Sequence, residues 1–229
     1  FQGTVMAKFA RENLNVKAVA ILRDVRNAYS VGLADFFSES FVQRGGRITA
    51  DKSYSAGDSD FKSQLTSLRG GRPEAVFVPG YYTDVGLIAR QARELNLTVP
   101  LLGGDGWDSA DLFKIGGAAL DGCFYSNHSS MDDPSPVIRG FVESYNQAYG
   151  TTPDSLAALG YDAARVAAEA IKQAGTTEGQ AVRDQIAKIK GFPGVTGSIS
   201  INAQRNAVKP AVILKVAGGK SVYETTLAP

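Results

Sequence analysis

Through the first half of the chain, short apolar runs alternate with amphipathic stretches. That alternation marks βαβ units wound around a parallel sheet. The runs predict strands at 18–22, 47–52, 75–78, 99–102 and 122–126, with helices between them near 31–43, 61–68, 84–95 and 110–115. Local chemistry agrees with these limits: Asp58 or Asp60 is placed to cap the helix after it, and Gly45-Gly46 to close the helix before it. Together they make one complete doubly wound lobe of about 130 residues. The polar segment 131–136 carries two prolines and reads as a linker or a crossing between lobes.

Beyond it the pattern changes. Helices predicted at 137–149, 156–174 and 179–189 arrive before any good strand. The middle one carries Leu156, Leu159, Ala163, Val166, Ala167, Ala170 and Ile171, an apolar face too broad to leave in water, so it needs a sheet to lie on. Only 197–201, 212–216 and 222–225 remain as strand material, too little for a second doubly wound sheet. The expectation is a second lobe whose missing strands would precede Phe1. The chain opens without an initiator Met and runs straight into a helical pattern at Val5–Ala10, which suggests that an upstream segment, a signal included, has been removed.

Composition narrows the function by exclusion. With 24 basic and 23 acidic side chains, the net charge of +1 favours neither nucleic acid nor an anionic membrane surface. No apolar run reaches the roughly 20 residues of a membrane helix. One cysteine and one histidine are too few ligands for a zinc or iron site, and Cys123 sits in an apolar run that suits a buried strand. His128 would have to serve any Ser-His-Asp arrangement, yet no Gly-x-Ser-x-Gly elbow accompanies it. Asp58-x-Asp60 lacks the spaced oxygens and closing Glu of a calcium loop. The paired glycines form neither a P-loop nor a dinucleotide fingerprint. The sequence is read as a non-enzyme with no cofactor.

Polar and aromatic residues gather where strands end. Open parallel sheets bind ligands beyond the carboxyl ends of their strands, where strand order reverses. Here Arg23–Tyr29 follows the first strand, Pro79-Gly80-Tyr81-Tyr82 the third and Gly103-Gly104-Asp105-Gly106-Trp107 the fourth. Glycines on both sides of Asp105 would let the backbone turn and bare the carboxylate. One carboxylate and two tyrosines suit an ammonium group beside a modest apolar body; alternatively Asp105 caps the next helix and the tyrosines shield the sheet.

These residues carry a resemblance. The run Arg26-Asn27-Ala28-Tyr29-Ser30-Val31-Gly32-Leu33-Ala34, Tyr54-x-x-Gly57-Asp58-x-Asp60-Phe61, Pro79–Gly86 with Arg90–Arg93, and Gly103–Trp107 are similar to the periplasmic leucine/isoleucine/valine-binding proteins, type I solute-binding proteins of ABC transporters. Ala158–Ala163 and Gly194–Gly197 follow in the same order, so the similarity spans nearly the whole chain. It implies flavodoxin-like, periplasmic binding protein-like I lobes that clamp a branched-chain amino acid between them. Residues 1–129, with 211–229 returning, would form the second lobe, and 130–210 the carboxyl-terminal part of the first. The chain departs from the family in lacking the amino-terminal half of that first lobe, which in relatives holds the ligand's carboxylate and could here lie on a separate fragment. By the same resemblance Asp105 pairs with the ligand's α-ammonium, Tyr29 and Tyr81 flank the ligand, and Leu156 lines the side-chain pocket. The implied partners are the amino acid and a transporter permease, in a periplasmic or cell-surface location. A ligand-sensing domain of the same fold in a receptor or regulator is the alternative, and a small hydrolase or lyase would need turnover dependent on His128 or Asp105.

Overall fold

The computed structural model describes residues 1–131, 133 and 135–228, so two positions of the proline-bearing segment, 132 and 134, lie outside the described residues. The chain divides into two compact units, Phe1–Asn127 with Ile213–Leu227, and His128–Val212.

The first unit opens with helix α1 (Gln2–Lys8), which widens into a π-helical turn at Phe9–Asn13. Then follow β1 (Ala18–Asp24), α2 (Ala28–Gln43), β2 (Arg47–Tyr54), α3 (Lys62–Gly70), β3 (Ala75–Phe77), α4 (Tyr82–Glu94), β4 (Leu101–Gly103), α5 (Ala110–Gly116) and β5 (Phe124–Asn127). Strands β1 to β5 pair in parallel in the order β2-β1-β3-β4-β5. Beyond β5 the sheet is extended by β9 (Ala211–Ala217) and β10 (Lys220–Leu227), returning late in the chain.

Burial follows position in the sheet. Val19, Ala20, Ile21 and Leu22 of β1 are wholly buried, as are all of β3 and β4, because strands covered on both faces read as continuous apolar runs. At the edge, β2 exposes Arg47, Asp51, Lys52 and Ser53, which explains its polar sequence. Aromatic rings fasten helices to the sheet: Phe37 of α2 stacks on Phe77 of β3 with centroids 4.1 Å apart and on Phe41 at 5.4 Å. Phe9 packs on Phe124 of β5 at 5.2 Å. Cys123 is buried with its thiol pushed up by burial, as its apolar run suggested.

The second unit comprises α6 (Pro136–Tyr149), α7 (Ser155–Ala174) and α8 (Gly179–Ile186) with a small sheet ordered β6 (Phe192–Gly194), β7 (Gly197–Ile201) and β8 (Ala207–Val208). Both pairings in that sheet are antiparallel. Its core is small: Ile138, Phe141, Ala158 and Val195, with Met131, Val142, Tyr145 and Ala157 packed against them. Buried Asp162 of α7 accepts hydrogen bonds from the backbone N–H of Val195 and Thr196 and from the Thr196 hydroxyl, all at 2.8 Å. The α7 side chains Leu156, Tyr161 and Ile171 remain exposed.

Candidate functional site

The strand order reverses between β1 and β3, since β2 lies on one side of β1 while β3, β4 and β5 continue on the other. The segments leaving the carboxyl ends of β1, β3 and β4 therefore flank a crevice position. Tyr29, Tyr81 and Asp105 stand on those three segments.

Local capping sets the first of them. Asn27, with φ −117° and ψ 114°, caps α2 by accepting the Tyr29 backbone N–H at 2.9 Å, which puts Tyr29 in the first turn. The approach from β1 is braced by the buried Asp24 carboxylate, whose Oδ1 accepts from Arg26 N at 2.9 Å and Ala56 N at 3.2 Å. Ser30 Oγ closes the turn by accepting the Asp24 N–H at 2.9 Å. Tyr81 is the residue that leads into α4, with φ −93° and ψ 157°, and its ring stacks on Tyr29 at 5.3 Å and 26°.

Asp105 begins a three-residue 3-10 turn, Asp105–Trp107. The turn is anchored by buried Trp107, whose Nε1 donates to the Val78 carbonyl at 3.0 Å. The Tyr29 hydroxyl donates to Asp105 Oδ1 at 2.7 Å and accepts the Gly106 N–H at 3.0 Å. Burial first, and the neighbouring Asp105 charge second, push the Tyr29 phenol above its ordinary range. It therefore stays a protonated donor to the carboxylate.

The glycines beside Asp105 serve a purpose different from the one expected. Neither takes a positive φ. A Cβ on Gly104 would stand 2.7 Å from the Tyr29 hydroxyl, and one on Gly106 would stand 2.8 Å from the Gly80 carbonyl and 3.2 Å from that hydroxyl. They are small so that the tyrosine can reach the turn. Nor does Asp105 cap α5, whose cap is Ser109, accepting from Asp111 N at 3.2 Å. Of the two carboxylates expected to cap α3, Asp60 accepts from Lys62 N at 2.9 Å, whereas Asp58 instead accepts from Ser55 N in its own loop.

The structure thus brings Tyr29, Tyr81 and Asp105 together. Leu156 belongs to the other unit, in the first turn of α7, 69% exposed. His128 directly follows β5. The sequence reading did not single out Gln2, whose Oε1 accepts from Asp105 N, nor Ser126 on β5, which donates to the same oxygen. The separation of 103 positions between Gln2 and Asp105 leaves no local pattern to reveal that contact. Chemically, the rim offers a fixed carboxylate and two phenol faces, a combination that attracts an ammonium group. Among the described residues, no group of three or more His, Cys, Asp or Glu is placed to hold a metal ion.

A doubly wound lobe with its polar rim at the topological switch point is an α/β ligand-binding scaffold, and comparison with known proteins gives its class. The periplasmic binding protein family model matches residues 2–220, and the chain belongs to that family. The leucine-binding protein LivK of Thermotoga maritima superposes with a TM-score of 0.94 at 39% identity, covering 100% of this chain and 65% of that one. LivJ of Streptococcus pneumoniae, solved in complex with isoleucine, gives 0.86 at 34% identity, with 100% and 65% covered. The Leu/Ile/Val-binding protein BraC3 of Rhizobium johnstonii is 28% identical over 200 residues, 87% of this chain and 54% of that protein. The chain thus spans between about half and two thirds of the length of these relatives.

Proposed function

We propose that this chain is the larger part of an extracytoplasmic solute-binding protein, periplasmic or on the cell surface, that captures a branched-chain amino acid and delivers it to an ABC transporter permease. The observation that carries the reading is the Asp105 carboxylate, held by the Tyr29 hydroxyl at 2.7 Å beside the Tyr29–Tyr81 stack at the switch point of the sheet. In the proposed mode the α-ammonium pairs with Asp105 and the two rings close over the ligand. Residues 1–129 with 211–229 act as one lobe, and 130–210 as the carboxyl-terminal part of the other, with Leu156 lining the side-chain pocket. The rest of that lobe would hold the ligand's carboxylate, whether on the same polypeptide or on a separate fragment. The short antiparallel sheet of the second unit and the exposed Leu156, Tyr161 and Ile171 support this division. No step of bond making enters this role, so the protein acts as a binder and not as an enzyme.

The fold also carries other ligands, for a solute-binding protein of R. palustris at 23% identity is solved with benzoate. A carboxylate at the centre of the rim disfavours such an anion, and like charges in a closing cleft oppose binding. Calorimetric titration of the complete protein with leucine, isoleucine, valine, benzoate, phosphate and glucose separates the readings. Binding of the aliphatic amino acids and not of the anions or the sugar is expected. Binding of benzoate, phosphate or glucose with no response to the amino acids would overturn it.

A further inference from the structure

We infer that Gln2 is a positioning residue for Asp105, setting the angle at which its carboxylate meets the ligand; the inference rests on the amino-acid reading above. Asp105 opens a three-residue turn, and the first N–H groups of such a turn have no acceptor within it. Gln2 supplies one from the start of α1: its Oε1 accepts the Asp105 N–H at 3.2 Å and the Ser126 hydroxyl at 3.2 Å. A backbone N–H can only donate, so the amide must present its oxygen here. Ser126 is wholly buried at the end of β5, which ties the contact to a rigid strand.

Asp105 is therefore gripped at two points, its carboxylate by Tyr29 and its backbone by Gln2. Gly104 leaves room for both grips, because a Cβ there would stand 2.7 Å from the Tyr29 hydroxyl and 3.1 Å from Gln2 Oε1. A carboxylate fixed before the ligand arrives need not be ordered on binding, and that ordering otherwise subtracts from affinity. Losing Gln2 should leave the charge in place while loosening its direction.

Gln2→Met keeps the side-chain length and removes the acceptor. Hydrogen exchange of the Asp105 amide in the ligand-free variant should quicken about tenfold, and the Kd for leucine should rise by a similar factor, the scale of one net hydrogen bond. Gln2→Glu, which retains an acceptor oxygen at that position, should restore the amide protection. In an Asp105→Asn background, Gln2→Met should change the Kd less than about threefold, since coupled residues are non-additive. Should Gln2→Met fail to fold, Gln2→Asn, one methylene too short to reach, carries the same expectations. Wild-type protection of the Asp105 amide in the acceptor-less variant would overturn the inference, as would a full tenfold loss in the Asp105→Asn background. If wild type itself ignores leucine, the ligand assignment fails, and amide exchange alone still decides the role of Gln2.

Discussion

The Tyr29 hydroxyl joins two elements with one oxygen, donating to the Asp105 carboxylate and accepting from the Gly106 backbone. Tyr29→Phe keeps the ring and its stack on Tyr81 but leaves both partners without it. Hydrogen bonds to charged groups contribute about 1.5–3 kcal/mol, so leucine affinity should fall about ten- to hundredfold in calorimetry. Asp105→Asn should cost at least a hundredfold with little change in thermal stability, because an ammonium buried without its counter-charge costs about 3–5 kcal/mol. Unchanged binding by that variant would place the ammonium partner elsewhere. Both residues were legible in the sequence because each follows a predicted strand. Gln2 was not, since only the folded sheet brings it to Asp105. In the second unit, Ala158–Ala163 and Gly194–Gly197 stood out as separate motifs, and the structure shows them to be one contact through Asp162. Asp162→Ala would strand three donors, two of them backbone, at about 1–3 kcal/mol each, and a clear drop in Tm should follow.

Among the elements, the strands of the large sheet were legible, edge strand β2 included, while β6 and β8 of the small sheet were not. Apolar runs as dense as that of β1 occur only where both faces are covered, whereas the two-residue β8 and three-residue β6 are too short to show any period. Helix α4 carries a tension that the sequence could not reveal. Asp84 lies in its first turn, where a negative charge is ordinarily welcome, and it accepts the backbone N–H of Gly57. Burial outweighs this, and with Asp24 and Asp58 nearby it raises the Asp84 pKa. The folded state thus holds the proton more tightly than the unfolded chain does. Stability from this group is present below the ordinary carboxylate pKa and is lost as pH rises through the raised one. Urea denaturation of wild type and Asp84→Asn across the weakly acidic range checks the sign: the difference curve should slope downward for wild type as pH increases. An upward slope would show that the N–H contact dominates instead.

At the scale of the whole molecule, the path of the chain matters more than any single contact. It leaves the first unit after Asn127 and comes back at Ile213, so the large sheet closes only when the last segment has been added. The strand itself was legible from the apolar run at 212–216, whereas its return to the first unit came only from the resemblance. In the structure β9 lies beside β5, with Gly122 N donating to the Val216 carbonyl at 2.9 Å and Val216 N to the Cys123 carbonyl at 2.8 Å. Tyr125 of β5 meets Ser221 of β10 through their hydroxyls at 2.6 Å. Ile213, Leu214 and Val216 are all buried, and a buried aliphatic side chain contributes about 1.5–3 kcal/mol. Three of them amount to a large part of the 5–15 kcal/mol typical of a domain. Deleting residues 211–229 should therefore strip β5 to an open edge and unfold the first unit, although Tyr29, Tyr81 and Asp105 all remain in the chain. Circular dichroism and dye binding to exposed apolar surface would follow this, with loss of the cooperative transition as the expected result. A truncated chain that melted like the parent would mean that β1–β5 are self-sufficient and that the returning strands merely decorate the sheet.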